Sequence, residues 1–213
     1  TNHWSMNIFG KIEKESQIIS KRPLATFNTA FAKDGVLIDI KMDIKAPIEL
    51  KYIGTTKNTG SLIRNVIRVG NGNKVKIIEH FEGNGWSNIC TEINAEQNAV
   101  VEHFRFKYLS KDSCSNVFLF VNLQKESKLF SSSLSLGFGR NRNETHVCLG
   151  GEESQCSISG ASYLGEGLSL DDDTVSIHHM KPKCKSRQVF KKVQRASSVG
   201  VFQGKIRVEK EAQ

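Results

Sequence analysis

The sequence predicts an all-β protein wound as a parallel β-helix, or solenoid, on three observations. Apolar residues spaced three and four apart are scarce along the 213 residues, so few helices are expected. Short runs of alternating or β-branched residues, bounded by Gly, Asn, Ser and Asp, fill most of the chain instead. Like segments also recur. IIEHF at 77–81 returns as VVEHF at 100–104, and NKVKI at 73, NAVVE at 98, SKLFS at 127 and SQCSI at 154 start 25, 29 and 27 residues apart. A period of roughly 27 without helix signals is that of stacked β-coils, whose equivalent side chains pile into ladders about 4.8 Å apart. An antiparallel sandwich would want tight turn dipeptides between successive strands, and only GNGN at 70–73 and GNG at 83–85 supply them.

Residues 1–20 carry four-residue apolar spacing at Trp4, Ile8 and Ile12, and are expected to form a short helix or linker ahead of a β-helix over 21–213. Strands follow at VKIIEHF (75–81), AVVEHFRFKYL (99–109), NVFLFVNL (116–123), SSLSLGF (132–138), THVCLGG (145–151) and GKIRV (204–208). In EHFRFKYL, Phe104, Phe106 and Tyr108 alternate with Arg105 and Lys107, the pattern of a half-buried strand with one wet face. Read as a strand, SIHHMKPKCKSR (176–187) puts Lys181, Lys183, Lys185 and Arg187 on one solvated face and turns Cys184 inward as a small hydrophobe. SRQVFKKVQ, with Val189 and Val193 four apart, is compatible with a single helical turn.

Three prolines and 38% hydrophobic residues describe a globular chain. No apolar run approaches the roughly 20 residues of a membrane span, and the N-terminus lacks the apolar core of a secretory leader. The cysteines, Cys90, Cys114, Cys148, Cys156 and Cys184, are odd in number and form no CxxC pair, which speaks against zinc ribbons and thioredoxin-like chemistry. Reduced thiols and a cytoplasmic location are expected. A net charge of +8 is spread along the whole chain rather than gathered beside aromatics, a weak nucleic-acid signal.

No metal site or catalytic group is expected from these residues. His179 and Cys184 are five apart, hence on opposite faces of a regular strand, and two ligands fall short of a zinc site. Asp171–Asp173 read as a turn, with no base aimed at a substrate. His80 and His103 of the two EHF segments would stack if their coils are neighbours, a pair expected to be structural rather than a metal ladder. The glycine loops GFGRNR (137–142) and GEG (165–167) lack the strand–glycine–helix context of a phosphate cradle.

The last third closely resembles the core segment of the SufD family, the non-ATPase scaffold subunits of SufBCD iron–sulfur cluster assembly. The pattern falls on Asp172, His179, Pro182, Cys184, Ser186, Lys191, Gly200, Val201, Phe202, Gly204, Ile206, Val208, Ala212 and Gln213. RPLATFNTAFAKDGVLIDI (22–40) looks like the family's approach to its β region, and SSSLSLGFGRNRNETHVCLGGEES (131–154) is similar to its Ser-Leu-Gly, Arg-Asn and Leu-x-Gly-Glu series. Val175 and Lys192 depart from the pattern, standing where Thr and Gly are usual. SufB-like chains carry Tyr-Arg-Gly where this sequence has VFQG (201–204), which favours SufD.

The resemblance implies a right-handed parallel β-helix and a non-catalytic scaffold that pairs with SufB-like and SufC-like subunits. The family's cluster-building histidine lies in a Cys-x-His-Gly-Ala-Thr motif without a counterpart here, so no cluster ligand is carried over. A cluster is expected only transiently in the full complex, and the matched residues above are expected to be architectural. The chain is expected to be a fragment, short of the family's C-terminal helical domain, whose exposed strand edge would favour a homodimer. Two other readings stand beside it: a β-helix lyase or hydrolase of an acidic polymer, and a nucleic-acid-binding solenoid centred on residues 181–195, with seven basic residues and no acidic one.

Overall fold

A computed structural model describes residues 11–19, 21–55, 60–137, 139–165 and 169–213. Two helices come first, α1 (Lys11–Ile19) and α2 (Pro23–Phe31). Strands follow as β1 (Leu37–Ile40), β2 (Ile48–Gly54), β3 (Gly60–Val69), β4 (Lys74–Gly83), β5 (Gly85–Ala95), β6 (Val100–Leu109) and β7 (Ser113–Leu123). The chain continues through β8 (Lys128–Gly137), β9 (Arg140–Leu149), β10 (Gln155–Leu164), β11 (Leu170–His179), β12 (Lys185–Gln194) and β13 (Val199–Val208). The odd strands form one sheet in the order β1-β3-β5-β7-β9-β11-β13, and the even strands form a second in the order β12-β10-β8-β6-β4-β2. Every pairing is parallel, so each coil lays one strand on each sheet and the predicted β-solenoid is the observed fold.

Ladder register confirms the coil length. Ile67 pairs with Ile93, Ile93 with Val121, Val121 with Val147 and Val147 with Ile177, advances of 26, 28, 26 and 30 residues. This column is fully buried, as is Val69–Ala95–Leu123–Leu149 beside it. Together with Val75, Val101 and Leu129 of the even sheet they make the apolar half of the interior. Burying such ladders contributes about 25 cal/mol per Å² of apolar surface and is the main force stacking the coils.

The corner from odd to even strands repeats one turn. Gly72, Asn98, Glu126, Glu153 and Lys183 each precede an even strand by two residues, and all have φ between 57° and 71°. The amides of the first four bond to carbonyls of the next coil's turn, as from Asn98 to Lys125 at 2.9 Å and from Glu126 to Glu152 at 2.8 Å. The position that follows forms the column Asn73, Ala99, Ser127, Ser154 and Cys184, so three of the four echoes at 73, 98, 127 and 154 mark this corner and NAVVE sits one residue early.

Four expectations are corrected. SIHHMKPKCKSR is not one strand; it ends β11, turns over 180–184 and begins β12. SRQVFKKVQ lies in strand, and Val189 and Val193 share its outer face because a spacing of four is even. Residues 23–31, inside the stretch read as the β-helix, are α2, which opens with Pro23 in its first turn. Trp4 and Ile8 lie outside the described residues, as do parts of both glycine loops, whereas Ile12 sits in α1 and packs against Ala25, Cys90, Phe118 and Phe120.

The fourth correction concerns β6. Its wet residues are inside: Arg105 and Lys107 are buried, while Phe104 and Tyr108 are 42% and 57% exposed. Strand alternation is obeyed, but the face is reversed.

Candidate functional site

The reversal of β6 turns the second half of the interior into a string of charges running along the solenoid axis. At one end sits Glu79 of β4, fully buried. Its carboxylate accepts from Tyr52 and Thr91 at 3.1 Å each, from Arg105 Nε at 2.9 Å and from His103 Nε2 at 3.0 Å. Arg105 Nη2 is also 2.8 Å away but poorly aligned, so Nε makes the hydrogen bond. Because a carboxylate only accepts, His103 carries its proton on Nε2, and Nδ1 accepts from Ser131 at 2.9 Å. Burial disfavours charge on Glu79, yet Arg105 and the His103 hydrogen bond hold it well below the usual carboxylate range. Burial pushes His103 down, so the ring is neutral.

Lys107, one step along the same face, is also wholly buried. Its ammonium donates to Asn141 Oδ1 at 2.7 Å and Asn143 Oδ1 at 2.5 Å, and lies 5.0 Å from the Phe81 ring centroid. Burial and Arg105 both depress its pKa. The two asparagines pass the string on: Asn141 donates to Asp171 at 2.5 Å and Asn143 to Asp173 at 2.8 Å. Lys192 of β12 then bonds Asp171 and reaches Asp173 at 2.6 Å. Burial resists both aspartates' charge; Lys192 holds Asp171 below its ordinary value, whereas burial and Asp171 push Asp173 up.

Asp171–Asp173 are therefore strand, not turn. The outer Asp172 pairs with Arg142 at 2.5 Å, and the inner two are neutralised by a residue that departs from the SufD pattern, Lys192. Lys191 beside it points out to solvent, as do Lys181, Lys183, Lys185 and Arg187. His80 and His103 do not stack. Strand β4 pairs with β6 at an advance of 26, placing His80 opposite Phe106 and Ile77 opposite His103. The 23-residue sequence echo misses that register by an odd number, which sends the two rings to opposite faces.

The chain does turn sharply after His179, bringing its Nε2 to 2.9 Å from Ser186 Oγ. Cys184 fills the corner column where Ser127 and Ser154 close their turns on carbonyls at 2.7 and 2.8 Å. Its thiol meets Ser154 Oγ at 3.3 Å and the Gly151 carbonyl at 3.2 Å, and it packs partly buried against the apolar core. Pro182 is in the same turn. Phe202 of β13 packs at a tilt of 32° on Phe190 with centroids 4.6 Å apart. A Cβ on Gly200 would meet Gln194 Nε2 at 2.4 Å, and one on Gly204 would meet Gln188 Oε1 at 3.2 Å. Among the described residues no three His, Cys, Asp or Glu side chains converge as metal ligands would.

Thiol placement has a measurable consequence. Cys90 is fully buried with its pKa driven far up by burial, and burial pushes Cys156 up to about 12. Iodoacetamide at pH 8 should therefore label Cys184 in the native chain while sparing Cys90 and Cys156 until denaturant is added. Peptide mass spectrometry reads the result, and equal labelling of all three thiols before unfolding would contradict closed coils.

A parallel β-solenoid with a buried charge string and helices on one flank is the class of protein these features define. The family model described as "SUF system FeS cluster assembly, SufBD core domain" matches residues 52–213. The chain belongs to the SufBD core family of iron–sulfur cluster assembly. It is also similar to "Protein ABCI7, chloroplastic" of Arabidopsis thaliana, 27% identical over 190 residues, covering 80% of this chain and 38% of that relative. No helix among the described residues is long and apolar enough to cross a membrane.

Proposed function

We propose that the chain is the β-solenoid platform of a SufD-like subunit, a non-catalytic scaffold that pairs with a SufB-like subunit and acts with a SufC-like ATPase in the cytoplasm. The observation that carries this reading is the SufBD core match across residues 52–213, nearly the whole solenoid. VFQG at 201–204 supports SufD over SufB. The iron–sulfur cluster is cargo here, met in the assembled complex rather than resident in this chain. Asp172, His179, Pro182, Cys184, Ser186, Lys191, Gly200, Phe202 and Gly204 serve architecture: they close turns, make room between coils or face solvent.

A rigid solenoid suits the task because every coil is hydrogen-bonded to its neighbours and can hold partner-supplied groups in fixed geometry. Phe202 and Ile206 of β13 are 44% and 57% exposed, although their ladder mates Asp173 and Ile177 are buried. A further strand laid on this edge would complete the ladders.

The hydrolase alternative is disfavoured because Asp171 and Asp173 face Lys192 inside the coil, and the nucleic-acid alternative because Lys192 leaves the basic row. Co-expression with SufB-like and SufC-like subunits, followed by anaerobic cluster reconstitution, is the test. A stable complex that accumulates cluster is expected; separate elution of all three chains would overturn the assignment.

A further inference from the structure

The two sheets differ in what covers them. The odd sheet carries α1 and α2 on its outer face: Asn28 of α2 donates to the carbonyls of Ile63 at 3.0 Å and Asn88 at 2.8 Å, and Ala25 packs on Phe118 and Phe120. No described element lies on the outer face of the even sheet. That face is apolar across four adjacent strands. Phe104, Tyr108, Phe130, Leu134, Tyr163 and Val193 project from β6, β8, β10 and β12, with between 39% and 58% of each residue exposed. Contiguous apolar surface of this kind on a folded chain marks an interaction site.

One border of the patch is basic. At the strand starts Lys74, Lys128 and Lys185 fall in one register column, and Arg187 stands one column inward. None of the four has an ion pair, whereas Lys51 and Lys76 on the same face already hold Glu49 at 4.0 Å and Glu102 at 3.3 Å. Lys191 of β12 also lies on this face, in the row of Leu134, so the face has a mainly apolar centre with one lysine at its β12 end and a row of cations along one edge.

We propose that this face docks a partner protein's amphipathic helix, laid along the solenoid axis with acidic residues on one flank. The geometry is commensurate. Strands repeat about every 4.8 Å, close to the roughly 5.4 Å of a helical turn, so successive turns seat on successive strands. Lys74, Lys128 and Lys185 come from alternate strands, about 9.6 Å apart, which fits acidic side chains recurring every seven residues, about 10.5 Å. The odd sheet already accepts helices in this way from its own chain.

A second copy is the poorer occupant: among the described residues the outward positions of its even strands offer only Glu49, Glu82 and Glu102 as anions, and two of these are already paired. An anionic bilayer is also poorer, since it would favour cations around the patch rather than along one border. The surface is the outer face of the even sheet, whereas the SufB-pairing reading uses the strand edge of β13, so the peptide test and the co-expression test read different surfaces.

The probe is a fluorescein-labelled, lactam-bridged 18-residue helix with leucines on one face and glutamates every seventh residue on its flank. A matched peptide carries lysines at those positions. Fluorescence anisotropy should show the glutamate peptide binding at least about tenfold more tightly than the lysine peptide at about 0.1 M salt. Lys128→Glu with Lys185→Glu should erase that preference, and Phe104→Ser with Tyr163→Ser should weaken binding about tenfold or more. All four substitutions are on exposed side chains, and thermal melts confirm that the variants remain folded. Equal affinity for the two peptides, no binding, binding indifferent to the serine pair, or sedimentation with phosphatidylserine vesicles in place of peptide binding would each overturn the proposal.

Discussion

Replacing Glu79 with alanine is expected to cost about 3–5 kcal/mol of folding stability at pH 7, a large part of the roughly 5–15 kcal/mol that holds a domain together. The loss comes less from the carboxylate than from what it abandons. Arg105 would keep a buried charge with its anion gone, and His103 Nε2 and the Thr91 hydroxyl would lose their acceptor. Glu102→Ala is the control, since its partner Lys76 is 3.3 Å away on an exposed face and such pairs contribute about 0–1 kcal/mol. The effect should also fade with acid. Because the folded-state pKa of Glu79 lies below the unfolded value of about 4.3, its contribution is complete above that pH and is lost as pH falls. Urea midpoints of wild type and variant should therefore keep their separation from pH 7 to about 4.3 and begin to close below it, a narrowing visible by pH 3; coincident midpoints at pH 7 would show that Glu79 does not anchor the string.

The same residues show what the sequence could reveal. The apolar ladders were legible because period-two alternation and a recurrent corner are local signals, repeated in each coil. The orientation of β6 was not. Its alternation fits either face, and the choice is made by Glu79, Asn141, Asn143, Asp171 and Asp173, which reach Arg105 and Lys107 from three other strands. No reading of EHFRFKYL alone contains that information, and the usual cost of burying a cation argues for the wrong answer.

The EHF echo misled for a related reason. Coils advance by 26 to 30 residues, and a near-identical pentapeptide at 23 is a coincidence of composition that register exposes. Helix α2 has a weak local signal because only Pro23 announces it, while its seat depends on Asn28 finding carbonyls of β3 and β5 at 35 and 60 residues' separation. Cys184 turns partly inward as a corner residue rather than a strand residue, since the stacked left-handed turn at Lys183 is visible only once the coils are aligned.

Lys192→Met is the second substitution expected to act strongly, again by about 3–5 kcal/mol at pH 7. The lysine sits where a resemblance to SufD leads one to expect glycine, and it bonds both inner aspartates. Without it, Asp171 and Asp173 would face each other two residues apart on one buried strand face, with Asn141 and Asn143 as the remaining direct donors. Acid should rescue the variant. In the wild type Asp171 is held below its unfolded value of about 3.9, so its contribution disappears as pH drops. In the variant both carboxylates are raised, so their penalty is relieved over the same fall, and the two stability curves approach each other near pH 4. The neighbouring Lys191→Met, on the outer face, should change stability by no more than about 0.5 kcal/mol. Denaturant titrations at pH 7 and pH 4 separate the cases: a Lys192→Met deficit that is the same at both values would mean that packing, not the paired aspartates, made the lysine necessary.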